Sequence, residues 1–206
     1  MGAALPSQPT LFDRGGPAIE AADLSHARRV DLDGASWVEH LPDWVRGQDA
    51  LMAELARTTN WRSERRWMYD RAVDVPRLVA GLPDDGPGHP LLERIRDALS
   101  AHYATAFVRV SMGLYRDGSD SVAWHGDTTA RDMDQPTLVA TVSLGAPRRF
   151  LLRPRGGGRS VAFALGRGDL FVMGGLCQRA WQHTVPKTAR ALPRLAVMFR
   201  PIWKAA

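Results

Sequence analysis

The chain has one cysteine, Cys177, so no disulfide can form within it. Of its 27 basic residues only Lys187 and Lys204 are lysine. No apolar run approaches the roughly 20 residues of a membrane-spanning helix. The first ten residues lack a basic stretch followed by an apolar one, so no secretory signal is expected. Met1-Gly2 opens like an acylation motif, but Pro6 stands where that motif wants Ser or Thr. No internal repeat and no long low-complexity tract is present. These absences set the expectation of a cytoplasmic protein with no membrane segment and no obligate protein partner.

What is present is ordinary for a packed domain: 206 residues, 45% hydrophobic and 24% charged, enough to bury a substantial core. The net charge of +5 is carried almost wholly by arginine. Such a balance can mean affinity for a polyanion, or only a compositional bias, so placement matters more than the total.

Residues 1–17 carry Pro6, Pro9, Gly15, Gly16 and Pro17 and read as a loosely held arm. Residues 28–32 read as a short strand before the Asp33-Gly34 turn, with Trp37, Val38, Leu41 and Trp44 facing a core. Leu51, Met52 and Leu55 recur at helical spacing between residues 47 and 58. Residues 61–69 and 70–79 read as a hairpin whose second strand Pro76 should confine to an edge. After the breaker at residues 82–88, Pro90 opens a helix with Leu91, Leu92, Ile95, Leu99 and Tyr103 as its buried stripe.

From residue 106 onward the pattern changes to eight short strands: 106–115, 121–126, 137–144, 147–154, 159–164, 169–173, 180–185 and 194–201. Close spacing and glycine-rich turns point to a double-sheet jelly roll. The fold class expected is α+β. Residues 18–206 form one domain, with 18–103 an N-terminal elaboration and substrate lid and 104–206 the jelly-roll core.

The chemistry centres on Trp124-His125-Gly126-Asp127. Residues two apart at a strand end leave the same face, so His125 and Asp127 supply two members of a 2-His-1-carboxylate set that holds Fe(II) with open positions. His183, on a later strand, can supply the third across a jelly roll. Arg194 and Arg200 share one face of the last strand, while Leu195, Val197 and Phe199 share the other. Guanidinium groups so placed suit a small diacid such as 2-oxoglutarate, to which Tyr115 could also donate. Strand-end arginines in solvent and a core tyrosine are the alternatives. His26, His40, His89 and His102 read as ordinary surface or core histidines. Asp169 reads as a turn-shaping residue and Cys177 as an incidental thiol.

Taken in order, Leu114-Tyr115-Arg116-Asp117-Gly118, Trp124-His125-Gly126-Asp127, Val142-Ser143-Leu144-Gly145, Gly168-Asp169-Leu170, Trp181-Gln182-His183, Arg194 and Arg200 resemble the AlkB family of Fe(II)- and 2-oxoglutarate-dependent dioxygenases. The resemblance covers residues 107–201. It implies that His125, Asp127 and His183 hold Fe(II). It implies that Tyr115 and Arg194 bind the distal carboxylate of 2-oxoglutarate and Arg200 the one beside the keto group, with O2 as oxidant. The implied reaction is oxidative dealkylation of N-alkylated bases in DNA or RNA, releasing an aldehyde. Three departures stand out. Gly113 and Ala196 replace asparagines that often contact the co-substrate in the family, and Thr128, Thr129 and Ala130 replace acidic residues near the base.

Two basic stretches are candidates for holding alkylated DNA or RNA, single-stranded or with its base flipped. Arg148, Arg149, Arg153, Arg155, Arg159 and Arg167 fall in a run with no acidic residue and read as a hairpin that contacts phosphates. Residues 61–71 interleave aromatic and basic side chains. There Trp67 and Tyr69 are candidates to stack a base, and Arg65, Arg66 and Arg71 to touch the backbone. Thr129 and, from the arginine-rich hairpin, Arg149 and Arg153 complete the candidate substrate set. An oxygenase acting on a protein side chain or small molecule, and a non-catalytic nucleic-acid-binding module, are the competing readings.

Overall fold

The computed structural model describes residues 16–19, 21–68, 71–82, 88–127 and 136–202, with the backbone alone at 21–23, 64–68 and 71–74. Most of the expected arm, residues 1–15, lies outside the described residues.

The N-terminal half runs β1 (Ala18–Ile19), a 3-10 turn (Ala21–His26), β2 (Arg28–Asp31), β3 (Ser36–Leu41), β4 (Val45–Arg46), α1 (Gln48–Thr58), β5 (Arg62–Met68), β6 (Arg71–Gly81) and α2 (Pro90–His102). The C-terminal half is β7 (Phe107–Tyr115), β8 (Val122–His125), β9 (Thr137–Gly145), β10 (Arg148–Pro154), β11 (Val161–Leu165), β12 (Asp169–Gly175), the single turn α3 (Cys177–Ala180), β13 (Trp181–Val185) and β14 (Arg194–Pro201).

The turn between β2 and β3 is tied by carboxylates. Asp31 accepts from the Gly34 amide and Asp33 from the Ser36 amide, both at 2.7 Å. In α2, Pro90 occupies the first turn, where its missing amide hydrogen costs nothing, and the His89 imidazole accepts from the Leu91 amide. Leu91, Leu92, Ile95 and Leu99 are buried as the spacing predicts. Each contributes about 1.5–3 kcal/mol at most from area removed from water. Tyr103 is only half-buried, and its hydroxyl donates to the buried Glu39.

Apart from the short β1–β4 pair, the described strands form two sheets. Eight strands make the larger one, in the order β2-β3-β12-β9-β14-β7-β6-β5, and four make the smaller, β11-β10-β13-β8. The alternation expected of β14 explains the layering. Leu195, Val197 and Phe199 join one cluster with Leu51, Leu55, Ile95 and Leu99 of the two helices. Ala196, on the opposite face, joins a second cluster with Leu152, Phe150 and Val185 of the smaller sheet. The large sheet is therefore the middle layer, with helices on one face and the small sheet on the other. β7, β9, β12 and β14 face β8, β10, β11 and β13: the double-stranded β-helix expected from the strand spacing.

One expectation fails. β6 is not an edge strand, since β7 lies on one side and β5 on the other. Pro76 is tolerated because it falls in a gap in both ladders. Pairing with β7 starts at Leu78, and the register with β5 shifts between Ser63 and Arg65. A residue without an amide hydrogen costs nothing where the ladder is already broken.

Candidate metal and co-substrate site

The ladder between β8 and β13 places His125 directly opposite His183, with ring centroids 4.2 Å apart. Asp127 follows just past the end of β8. The metal-ligating atoms of His125, Asp127 and His183 all lie within 4.8 Å of one another. Gly126 makes this bend possible, since a Cβ there would sit 2.8 Å from the Gln178 carbonyl oxygen and 2.9 Å from an Arg155 nitrogen. The amide of Asp127 donates to the Gln178 side chain, fixing the chain beyond the strand.

Local contacts put the three donors in ligating form. His125 Nδ1 lies 2.8 Å from the Ala123 carbonyl oxygen, an acceptor, so Nδ1 donates there and Nε2 is the nitrogen left to face a metal. His183 is buried and stacked on Phe150 at 5.3 Å. Burial first, then His125, Arg200 and Arg77, outweigh Asp127 and push its imidazole down to about 3, leaving it neutral. For Asp127, burial raises the carboxyl, but Arg200, His183, the Arg200 hydrogen bond and His125 together hold it below the usual range. Arg200 Nε donates to Asp127 at 2.7 Å and Nη1 to Ser111 at 2.8 Å. Two clustered imidazoles, that of His183 neutral, and a carboxylate fit a divalent cation with oxygen and nitrogen preference.

Beside them lies a cavity of about 600 Å³ whose lining includes His125, Asp127, His183, Tyr115, Arg194 and Arg200. Arg194 is 2% exposed; its Nη2 donates to Ser143 at 2.7 Å, and its Nε is buried with no hydrogen-bond partner. Burial first, joined by Arg148 and Arg77, lowers its pKa despite Tyr115. A desolvated guanidinium aimed into a cavity is a place for a carboxylate. The residues thus suit both an iron ion and a keto-diacid.

The remaining candidates divide. Arg153 is half-buried with its guanidinium 4.1 Å over Trp124 and one nitrogen on Gln182. Arg149 is exposed on β10 and does not line the cavity. Tyr69 and Thr129 lie outside the described residues, as do Thr128 and Ala130, and the side chains of Arg65, Arg66, Trp67 and Arg71 are not described. The arginine-rich hairpin needs correction at two positions. Arg148 is 4% exposed and donates to the carbonyls of Asp117, Asp120 and Pro186; Arg155 donates to those of Arg179 and Gln178. Both tie loops together, and around Arg148 the carbonyls would otherwise be buried without a partner. Asp169 accepts from the amides of Asp43 and Gly166, and so shapes a turn. Arg77, which also lines the cavity, was not among the sequence candidates.

A profile of the 2OG-Fe(II) oxygenase superfamily matches residues 83–200. The solved structure of OsALKBH1 superposes with a TM-score of 0.58 at 14% identity, over 84% of this chain and 100% of that one. A prolyl hydroxylase from Trichoplax adhaerens does so with 0.55 at 11%, over 72% and 74%. At those identities the superpositions speak for the fold, and the profile carries the classification: the chain is a 2OG-Fe(II) oxygenase, a dioxygenase using Fe(II), 2-oxoglutarate and O2. Human DNA oxidative demethylase ALKBH2 is 34% identical over 75% of this chain and 68% of its own length. Human alpha-ketoglutarate-dependent dioxygenase alkB homolog 3 is 29% identical over 95% and 77%; the bovine form is 30% identical over 75% and 62%. Within the superfamily, the chain belongs to the AlkB family.

Proposed function

We propose that the enzyme oxidatively dealkylates N-alkylated bases of DNA or RNA. The observation that carries this reading is the meeting of His125, Asp127 and His183 at the same cavity as Arg194 and Tyr115, in a chain 34% identical to a DNA oxidative demethylase. His125, Asp127 and His183 would hold the iron. Arg194 and Tyr115 would take the distal carboxylate of 2-oxoglutarate, and Arg200 the carboxylate beside the keto group, while steadying Asp127. The bound iron, with O2 and 2-oxoglutarate, supplies the oxidation of the alkyl carbon; the co-substrate leaves as succinate and CO2. A base nitrogen bearing a hydroxymethyl group then expels formaldehyde: the hydroxyl gives up its proton, the C–N bond breaks and its electron pair stays on the nitrogen.

The protein's share is placement. Arg62, Ser63 and Gly81 line the cavity, so the β5–β6 hairpin runs on from its rim. The hairpin carries Arg65, Arg66, Trp67, Tyr69 and Arg71, the residues we propose for stacking a flipped base and holding its backbone. We assign Arg153 and Arg149 to flanking phosphates, and Thr129 to the base edge. Oligonucleotides of DNA and RNA carrying 1-methyladenine, 3-methylcytosine or ethenoadenine test this. Aldehyde release matching 2-oxoglutarate consumption is expected on at least one. Co-substrate turnover unaffected by every oligonucleotide would move the substrate to a protein side chain or small molecule.

A further inference from the structure

Besides Arg62 at the rim, three arginines line the cavity, and a diacid beside a metal accounts for only two of these. Arg200 is engaged by Asp127 at 2.7 Å. Arg194 and Arg77 have no carboxylate partner among the described residues, and each has a buried Nε with no hydrogen-bond partner. Arg77 comes from β6, in the stretch where the ladder with β5 shifts register and before the pairing with β7 begins. Such irregularities turn a side chain out of the strand's ordinary alternation. Its Nη1 donates to the Tyr115 hydroxyl at 2.9 Å, and its guanidinium carbon is 5.9 Å from that ring's centre, against 5.3 Å for Arg194. A phenol oxygen that accepts from Arg77 keeps its own hydrogen for another acceptor.

Room for Arg77 comes from Gly113. A Cβ there would already be 3.8 Å from Arg77 Cδ and 3.9 Å from Nη1, so a longer polar side chain and the arginine would compete for one space. Resting on the co-substrate reading above, we propose that Arg77 is a third ligand of the distal carboxylate of 2-oxoglutarate, beside Arg194 and Tyr115, in the place that Gly113 leaves open. A buried and a half-buried cation meeting at one phenol are stabilised by an anion between them, and a carboxylate accepts from both. A polar contact absent from β7 is thereby supplied by the strand next to it.

The test compares two keto acids on Mn(II)-loaded protein without oxygen: 2-oxoglutarate, and 2-oxopentanoate, whose distal end is a methyl group. Arg77→Met should weaken 2-oxoglutarate about ten- to hundredfold while leaving 2-oxopentanoate within about twofold, with Arg77→Lys recovering part of the loss. Equal weakening of both acids would make Arg77 a structural residue and overturn the assignment, as would unchanged affinity for 2-oxoglutarate. Arg194→Met separates this from the underlying reading. Selective loss of 2-oxoglutarate in Arg194→Met but not in Arg77→Met removes Arg77 alone; no loss in either removes the carboxylate site itself.

Discussion

His183 shows how surroundings set a side chain's chemistry. Sealed against Phe150 and opposite His125, it stays neutral at any ordinary pH and so offers a lone pair. Cys177 shows the reverse. Burial first, then Asp33, pushes its thiol up to about 12, so at pH 8 about one molecule in ten thousand carries a thiolate. A maleimide should therefore titrate no thiol in the native protein and one after denaturation; immediate reaction of the native chain would contradict that burial. The convergence of His125, Asp127 and His183 was legible because a set able to hold a metal restricts residue type and spacing. Arg148 was misread because a sequence shows a guanidinium's charge but not whether carbonyls surround it. Arg77 was missed because nothing local marks a register shift that turns a strand residue toward a cavity.

Among the elements, β12 lies inside the large sheet, between β3 and β9. Gly174 pairs with Trp37 on β3, and a Cβ there would land on the indole. That indole is held between Arg29, 3.8 Å away, and Tyr103 at 6.5 Å. Gly174→Ala should lower the unfolding free energy by about 1–3 kcal/mol, read from the denaturant midpoint. An unchanged midpoint would mean the indole moves freely. All eight C-terminal strands could be read from alternation and turn residues, and both long helices from their apolar stripes. The place of β6 could not, since Pro76 forbids a ladder bond only if one is needed, and that depends on which strands lie alongside.

For the whole molecule, charge and layering matter. The surplus of arginine divides into guanidiniums that hold the fold and those free to meet a polyanion. Arg149→Gln should reduce the salt dependence of oligonucleotide binding by about one phosphate contact, with stability unchanged. Arg148→Met should instead lower stability by roughly 1.5–3 kcal/mol, since three carbonyls lose a charged donor. The opposite pattern would reverse the two roles. The sequence reading of residues 18–103 is an elaboration of a short strand, helices and a hairpin packed beside the jelly-roll core. The structure instead threads β2, β3, β5 and β6 into the catalytic sheet. Pairings between distant segments leave no local periodicity, so that union became visible only in the fold.

Everything rests on one iron ion held by two imidazoles and a carboxylate. Anaerobic equilibrium dialysis of Fe(II) against the native protein and His183→Ala, with thermal unfolding to show that the variant is folded, measures it directly. One equivalent retained by the native chain and none by the variant is the predicted result; a folded variant that keeps one equivalent at native affinity would contradict it.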